Sequence, residues 1–367
     1  MRFLNHGSFG ATPNSVLQAQ QQWRDQMEAQ PVRFMTEELA PALRVSAARL
    51  GGFIGARECD LVFVDNATTA VNAVFASYPW RSGDGLLLLE HAYPAVILAA
   101  NALAKAHGVV VQFAPVRLPV EEGALLEDLR AAIQPNTKMA LLDHVSSPLA
   151  VVYPLEAMAQ LCHERGVAVC VDGAHGPGML QLDLEETGAD WYTGNCHKWL
   201  FAPKGSAFLW TSPQAPCQVR PLVVSLNTGK GIAAEFAWTG TRDCSAWLSV
   251  SAGIEFMEVL GTQQARNYCT ALARQGAALL RDAWGTDLLA PEAMHASMWS
   301  VPLPARHEPT LAHAAALHDW LWRAYHIEVP VLVLQDRLCV RISAQVYNDE
   351  QDYAALAAAL SQAISHQ

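Results

Sequence analysis

The sequence predicts an α/β fold in which a mainly parallel central sheet lies between two layers of helices, followed by a smaller α+β domain. Short apolar runs alternate with stretches of helical periodicity along most of the chain. Such runs are typical of strands that are buried on both faces of a parallel sheet. The 367 residues, of which 51% are hydrophobic, are enough for a large core.

The strands of the central sheet are expected between residues 61 and 210. They are predicted over residues 61–64, 85–89, 109–113, 138–143, 167–171, 190–193 and 206–210. Helices are expected to follow several of these strands. A further helix is predicted over residues 245–259, with Gly261 as its stop signal.

A different region begins near residue 262. Helices are predicted over 263–284, 311–325 and 350–364, and strands over 331–334 and 338–342. We therefore expect a large domain over residues 1–261 and a small domain over residues 262–367.

The composition disfavours several classes of protein. The net charge of −11 argues against a nucleic-acid partner, because phosphate contacts need clustered Lys and Arg. No apolar run reaches the roughly 20 residues of a membrane helix, and the first residues lack the apolar core of a signal peptide. We expect a cytoplasmic protein without membrane contact.

The eight cysteines are scattered without C-x-x-C pairs and are predicted to be reduced thiols. The adjacent pairs Cys162-His163 and Asp143-His144 lack the repeated spacing of a zinc site, so no metal is expected.

Polar residues follow several of the apolar strands. In a parallel α/β sheet, ligands bind beyond the carboxyl ends of the strands. The residues at such ends are Asn66, Glu90, His91, Asp143, His144 and Asp172.

Lys198 and Asp172 fit a site for pyridoxal phosphate. This cofactor needs a lysine amine for a Schiff base and a carboxylate beside its pyridine nitrogen. Each residue alone is more often structural, as a turn lysine or a strand-end aspartate, and Lys204 is a rival lysine nearby.

The stretch from Asn66 to Thr69 opens a helix directly after a strand. Free backbone N–H groups and a Thr hydroxyl at a helix start bind phosphate, although an ordinary N-cap has the same sequence. The glycine-rich motifs of nicotinamide dinucleotide and ATP sites are absent from the sequence.

Two further positions suit a cofactor and an amino-acid substrate. His91 follows a strand and could stack on a cofactor ring, with Tyr93 as its rival. Arg341 could bind a substrate carboxylate across a cleft between the domains, and the alternative is a surface arginine on an edge strand.

Taken together, these segments resemble fold-type I pyridoxal-phosphate enzymes of the class V aminotransferase family. The resemblance extends to the branch of isopenicillin N epimerase-like and cysteine desulfurase-like proteins. It is carried by residues 4–10, 66–69, 143–147, 171–175, 193–199, 202–205, 238–241 and 341–348.

The resemblance implies a role for each matching residue. It makes Lys198 the Schiff-base lysine, Asp172 the partner of the pyridine nitrogen and His91 the residue that stacks on the ring. It implies that Arg341 binds the substrate carboxylate and that His175 contacts the ring hydroxyl oxygen. The phosphate would be held by Thr68, Asn195 and His197, with Thr241 arriving from a second subunit. Asn66 and Thr69 are further candidates for binding the cofactor.

The resemblance further implies a homodimer with a shared active site. It also implies that the N-terminal segment, near residues 1–15, reaches that site. Asn5 and His6 are therefore candidate substrate-binding residues, and Tyr93 is a further candidate.

Two cysteines depart from the desulfurase pattern. Desulfurases carry a mobile-loop cysteine shortly before the matching arginine, whereas Cys339 stands in a predicted strand and is expected in the core. Cys196 is expected to act as a small hydrophobic residue. A persulfide mechanism is therefore disfavoured.

The favoured activity is that of a C–S β-lyase on a cysteine-derived amino acid. The alternatives are an amino-acid epimerase, an aminotransferase and a protein that binds the cofactor without turnover. Tyr93, Tyr347 and His6 are the candidates for a second acid or base.

Overall fold

A computed structural model describes residues 1–304 and 308–365 of the chain, with side chains as far as residue 361. The central sheet has the strand order β2-β8-β7-β6-β5-β3-β4. The strands of the chain are β1 Arg2–Phe3, β2 Leu61–Val64, β3 Gly85–Leu89, β4 Val110–Ala114, β5 Thr137–Asp143, β6 Ala168–Asp172, β7 Trp191–Asn195, β8 Ala207–Thr211, β9 Met298–Pro302, β10 Ile327–Glu328, β11 Val331–Leu334 and β12 Arg337–Ser343.

Helices cover both faces of this sheet, and other helices pack in the C-terminal region. They are α1 His6–Phe9, α2 Asn14–Ala29, α3 Pro31–Arg33, α4 Leu39–Ile54, α5 Ala67–Ser77, α6 Pro94–His107, α7 Glu122–Ala132, α8 Leu155–His163, α9 Ile232–Ala237, α10 Ser245–Leu248, α11 Val250–Val259, α12 Thr262–Trp284, α13 Leu311–Tyr325 and α14 Glu350–Ser365. A π-helical turn, Phe34–Glu38, joins α3 to α4, and short 3₁₀ turns occur at Glu58–Asp60 and Glu292–Met294.

Alternate residues of the central strands pack against opposite helical layers. On β5, Met139 and Leu141 belong to the apolar cluster that contains α5 and α6, whereas Ala140 and Leu142 belong to the cluster that contains α4, α7 and α8. Successive side chains of a strand point to opposite faces, so strands that are apolar at every position need a cover on both sides. The predicted three-layer α/β fold is confirmed.

The sheet departs from a fully parallel arrangement at one strand. β8 runs antiparallel to both of its neighbours, β2 and β7. A parallel connection needs a crossover of a dozen or more residues, usually with a helix. The segment between β7 and β8 carries Lys198 and has no such helix.

The helix predicted over residues 245–259 is interrupted. Ser249 separates α10 from α11, with φ −86° and ψ 0°. Its hydroxyl donates to the carbonyl of Ser245 at 2.7 Å. Such back-bonding by serine competes with the regular helical geometry.

The C-terminal region has its own sheet and its own apolar core. β11, β12 and β9 form an antiparallel sheet, and α12, α13 and α14 pack with it. The N-terminal strand joins this region, because β1 pairs in parallel with β10 and Leu4 lies in its core. The domain boundary at residue 261 stays a prediction.

No helix among the residues that the structure describes is long and apolar enough to span a membrane.

Candidate active site

The strands β2, β3, β5, β6 and β7 end at one edge of the central sheet, and a cavity of about 210 Å³ lies beyond it. Most residues of its wall are ones that the sequence analysis singled out separately. They are Asn66, Thr68, Tyr93, Asp143, Asp172, His175, Asn195, His197 and Lys198, joined by Ser8, Phe9 and Ser147 from other segments.

Lys198 lies in the turn after β7, with its amine in the cavity wall. The Nζ atom is 3.2 Å from Nε2 of His175. Burial, reinforced by the charge of Arg341 and opposed by Asp172, lowers the pKa of Lys198 to about 7. A lysine with such a pKa is neutral for a large part of the time near pH 7 and can act as a nucleophile or base.

Asp172 has a second carboxyl group beside it. Asp143 and Asp172 pair in register at the ends of the neighbouring strands β5 and β6. Burial raises the pKa of both, and the charge of Asp172 raises that of Asp143 further. Asp172 accepts from the N–H of Ala174 at 3.0 Å, whereas Oδ2 of Asp143 has no hydrogen-bond partner in the described part of the chain. Asp172 is therefore the better placed of the two to carry the negative charge.

The start of α5 forms a cradle in the wall of the cavity. Asn66 caps the helix through its Oδ1 atom, which accepts from the N–H of Thr69 at 2.8 Å. The Thr69 hydroxyl also donates to Asn66, so Thr69 serves the cap and does not line the cavity. Asn195 accepts from the N–H of Ala67 at 2.9 Å, which ties the cradle to β7.

His197 lies beside this cradle with its orientation fixed. Its Nδ1 atom is 2.9 Å from the carbonyl oxygen of Ser206, which can only accept, so Nδ1 carries the proton. Burial lowers the pKa of His197 to about 4, and the ring is neutral at pH 7.

Arg341 lies on β12 with 6% of its surface exposed. Its guanidinium donates to the Ser147 carbonyl at 2.8 Å and to the Ser8 hydroxyl at 2.8 Å. Burial lowers the pKa of Arg341 to about 10, so it is charged at pH 7. Neither serine was singled out from the sequence, although both stand in the segments that carry the family resemblance.

A second cleft, of about 480 Å³, adjoins the central cavity at Lys198. Arg341 lines this cleft together with Tyr93, His91 and Ser8. The amine of the lysine and the guanidinium of the arginine therefore face one connected space.

Tyr93, and not His91, reaches the wall of the central cavity. The N–H of Ala92 donates to the carbonyl of Leu89 at 3.0 Å, and this tight turn directs His91 into the second cleft. Burial lowers the pKa of His91. The ring-stacking role of His91, with Tyr93 as its rival, stays a prediction.

His6 is fully buried and lines neither cavity. Its role in substrate binding or as a second base stays a prediction. Its Nε2 atom is 3.0 Å from the Lys198 carbonyl oxygen, and its Nδ1 atom is 2.8 Å from the Tyr347 hydroxyl. Burial lowers the pKa of His6 to about 3. His6 thus ties the N-terminal segment to the lysine turn, and Tyr347 is engaged with His6.

The two remaining candidates, Asn5 and Thr241, differ in their distance from the cavities. Asn5 donates to Glu328 at 2.8 Å and lies 3.5 Å from the Arg341 guanidinium, close to the second cleft. Thr241 is exposed and lines neither cavity of this chain. Its role across a subunit interface stays a prediction.

Cys339 and Cys196 are both fully buried, as predicted. Cys339 pairs with Leu332 in the small sheet, and burial raises its pKa to about 12. Burial also raises the pKa of Cys196. Among the described residues, no cysteine lines either cavity.

Replacing Lys198 by methionine is expected to stabilise the cofactor-free protein. The pKa of Lys198 is 10.5 in the unfolded chain and about 7 in the folded one, so unfolding takes up protons between these values and stability rises with pH across that window. The gain should be roughly 3 kcal/mol at pH 6 and should shrink towards pH 10. Urea unfolding at both pH values measures it, and the exposed Lys138→Met is the control; an equal gain at pH 6 and pH 10 would contradict the lowered pKa.

Gly10→Ala is expected to destabilise the lysine turn. Gly10 has φ +73°, and a Cβ atom there would lie 2.2 Å from the carbonyl oxygen of His197. The cost should be at least about 2 kcal/mol, from backbone strain plus the overlap. Gly83→Ala, with φ +91° and no atom within 4 Å of the added Cβ, isolates the strain alone. Urea unfolding of both variants measures the difference in the free energy of unfolding. An equal decrease in the two would show that the contact with the His197 carbonyl has no role.

The sequence was compared with known families and proteins. The profile described as Aminotransferase class-V matches residues 3–356. The chain belongs to the class-V aminotransferase family.

Several class-V relatives match over nearly the whole chain. A probable chloroplastic L-cysteine desulfhydrase of Arabidopsis thaliana is 34% identical, over 98% of this chain and 82% of the relative. An isopenicillin N epimerase of Amycolatopsis lactamdurans is 33% identical, over 98% of this chain and 94% of the relative. The resemblance inferred from the motifs is confirmed.

Solved structures give the same fold. The cystine C–S lyase C-DES, in complex with cysteine persulfide, has a TM-score of 0.81 at 21% identity and covers 98% of this chain and 97% of its own. A cysteine desulfurase from Thermococcus onnurineus has a TM-score of 0.80 at 20% identity, over 100% of this chain and 95% of its own. At these identities the likeness establishes the fold of this class-V protein.

Proposed function

We propose that this class-V protein is a pyridoxal-phosphate-dependent C–S β-lyase that releases sulfide from a cysteine-derived amino acid, with L-cysteine as the simplest substrate. The observation that carries this proposal is the Lys198 amine, which has a pKa of about 7 and lies between the Asp172 carboxylate and the Arg341 guanidinium. The names of the relatives include L-cysteine desulfhydrase, which supports this activity.

The residues of the central cavity fit the cofactor. The start of α5 offers backbone N–H groups and the Thr68 hydroxyl for a phosphate. Asp172 offers a buried carboxylate for a protonated ring nitrogen, and His175 and Lys198 lie together on the wall. His91 in the adjoining cleft, with Tyr93 at the cavity wall as its rival, offers a flat ring to stack on the cofactor. One cavity therefore brings together donors for a phosphate, a buried carboxylate and the lysine amine.

When bound, the cofactor withdraws electrons from the Cα atom of the amino acid joined to it. Lys198 is the base for the Cα proton, because its amine lies between the two cavities and its pKa is near neutrality. Arg341 holds the substrate carboxylate in the second cleft by a two-pronged contact. Asp172 keeps a negative charge opposite the ring nitrogen.

The reaction balances without an enzyme thiol. Loss of the Cα proton and of sulfide from Cβ leaves 2-aminoacrylate, and water converts this product to pyruvate and ammonia. L-cysteine and water thus give pyruvate, ammonia and hydrogen sulfide. The absence of a cysteine from the described walls of both cavities agrees with this route and disfavours a persulfide on the enzyme.

Epimerisation is the second candidate, because an isopenicillin N epimerase is among the relatives. It needs a second acid or base on the opposite face of Cα. Of the three candidates for that group, His6 is buried, Tyr347 is bound to His6, and only Tyr93 lines a cavity. Elimination needs one base, which Lys198 supplies. Transamination remains the third candidate, without a structural feature in its favour.

Incubation of the cofactor-loaded protein with L-cysteine in deuterated water distinguishes these activities. We expect pyruvate, ammonia and sulfide in equal amounts, measured by coupled assay and by sulfide trapping. Deuterated D-cysteine without pyruvate would make the protein an epimerase. Formation of 3-mercaptopyruvate in a parallel incubation with a 2-oxo acid as amino acceptor would make it an aminotransferase. Lack of pyruvate from every sulfur-bearing amino acid tested would overturn the lyase proposal.

We further propose a homodimer in which Thr241 contacts the phosphate of the other subunit, and a cytoplasmic location. The exposure of Thr241 agrees with a contact outside its own chain. The domain division at residue 261 is proposed on the separate sheet and core of the C-terminal region.

A further inference from the structure

A chain of two contacts leads from a buried tryptophan to the active-site amine. The Trp199 indole nitrogen is 3.2 Å from Nδ1 of His175, and Nε2 of His175 is 3.2 Å from Nζ of Lys198. Trp199 and His175 are each 2% exposed, so water does not compete for these contacts.

The contact between Trp199 and His175 determines which atom donates in the contact between His175 and Lys198. An indole N–H can only donate, so Nδ1 of His175 must accept. Burial and the charges of Lys198 and Arg341 hold the pKa of His175 well below its usual range, and the ring is neutral. A neutral imidazole carries one proton, which must then be on Nε2.

The proton on Nε2 points at Lys198. An ammonium group has three donors and no acceptor, whereas a neutral amine has a lone pair. The contact between His175 and Lys198 is therefore a hydrogen bond only when the lysine is neutral.

We propose that Trp199 is a positioning residue that fixes the tautomer of His175, and that His175 thereby holds the Lys198 amine in the neutral form that attacks a carbonyl carbon. The identity of the carbonyl compound rests on the proposed function. The protonation state of the Lys198 amine does not depend on the proposed function, and it can be measured without cofactor or substrate.

Other charged and titratable groups face Lys198 from the surrounding elements. They are Arg341 on β12, Asp172 on β6, Asp143 on β5 and His197 in the same turn. They remain in place when only the indole N–H is removed. Without that N–H, His175 can carry its proton on Nδ1 and offer the Nε2 lone pair to a charged lysine, which stabilises the ammonium form.

The test is competitive labelling of the cofactor-free protein with acetic anhydride from pH 5 to pH 10, with acetylation of the Lys198 peptide read by mass spectrometry. Trp199→Phe should move the labelling midpoint of Lys198 upward by about one pH unit, so that the labelling rate at pH 6 falls about tenfold. Trp191→Phe is the matched control, because Trp191 is fully buried and its indole nitrogen has no acceptor among the described residues. Its midpoint should equal that of the wild type.

A double-mutant cycle separates the hydrogen-bond relay from lost packing. In a His175→Phe background, Trp199→Phe should cause no further shift. A shift of the same size in that background, or no shift in a folded Trp199→Phe protein, would overturn the proposal.

If Trp199→Phe does not fold, benzothienylalanine at position 199 replaces only the N–H by sulfur and keeps the ring shape. It should raise the midpoint like Trp199→Phe, and an unchanged midpoint would overturn the proposal. Failure of the lyase proposal would show in the product assay and would leave these labelling results intact.

Discussion

Lys198→Ala is expected to lower pyruvate release from L-cysteine by roughly 10⁴-fold, because a positioned base alone contributes up to about that factor. In the proposed reaction this amine is the base. Lys198 lines both cavities, and its pKa of about 7 suits proton transfer near neutral pH. The loss should appear in kcat, measured at saturating L-cysteine with the cofactor added in excess.

Lys204→Ala is the control for this prediction. Lys204 lies in the following turn and donates to the Thr12 hydroxyl at 3.1 Å, outside the walls of both cavities. Its removal should leave kcat within a few-fold of the wild type. A Lys198→Ala protein with near-normal turnover, or an inactive but folded Lys204→Ala protein, would reverse the assignment of the two lysines.

Arg341→Lys should reduce kcat/KM for L-cysteine by about 100-fold, mainly through a higher KM. The guanidinium donates to Ser147 through one terminal nitrogen and to Ser8 through the other. A carboxylate in the cleft would take over part of these contacts. An ammonium group cannot reproduce a two-pronged contact, although it keeps the charge.

Arg266→Lys provides the matched control for Arg341. Arg266 is also partly buried, contacts the Gly178 carbonyl and lies over the Phe53 ring, away from both cavities. The control should retain the KM of the wild type. If Arg341→Lys leaves KM unchanged and lowers only kcat, Arg341 acts on a step after carboxylate binding.

Local sequence patterns were sufficient to predict much of the sheet edge. Apolar runs with polar residues at their ends marked β5, β6 and β7, and the chain order then brought Asp172 and Lys198 to one cavity. The role of Asp143 beside Asp172 needed the register between two strands, which depends on the pairing of residues far apart in sequence.

The contacts of the N-terminal segment could not be predicted from local patterns. His6 and Tyr347 are 341 positions apart, and the pairing of β1 with β10 joins the two ends of the chain. Tyr93 lines both cavities and His91 lines only the second cleft, a difference that depends on the fold of the segment after β3. The antiparallel direction of β8 follows from the short segment before it, which carries the lysine.

The central claim is that one lysine, Lys198, bonds covalently to pyridoxal phosphate. Reduction of the loaded protein with borohydride, followed by peptide mapping, tests it most directly. The account predicts a stable adduct on the peptide that contains Lys198 and none in Lys198→Ala. An adduct on Lys204, or a borohydride-stable adduct that persists in Lys198→Ala, would contradict it.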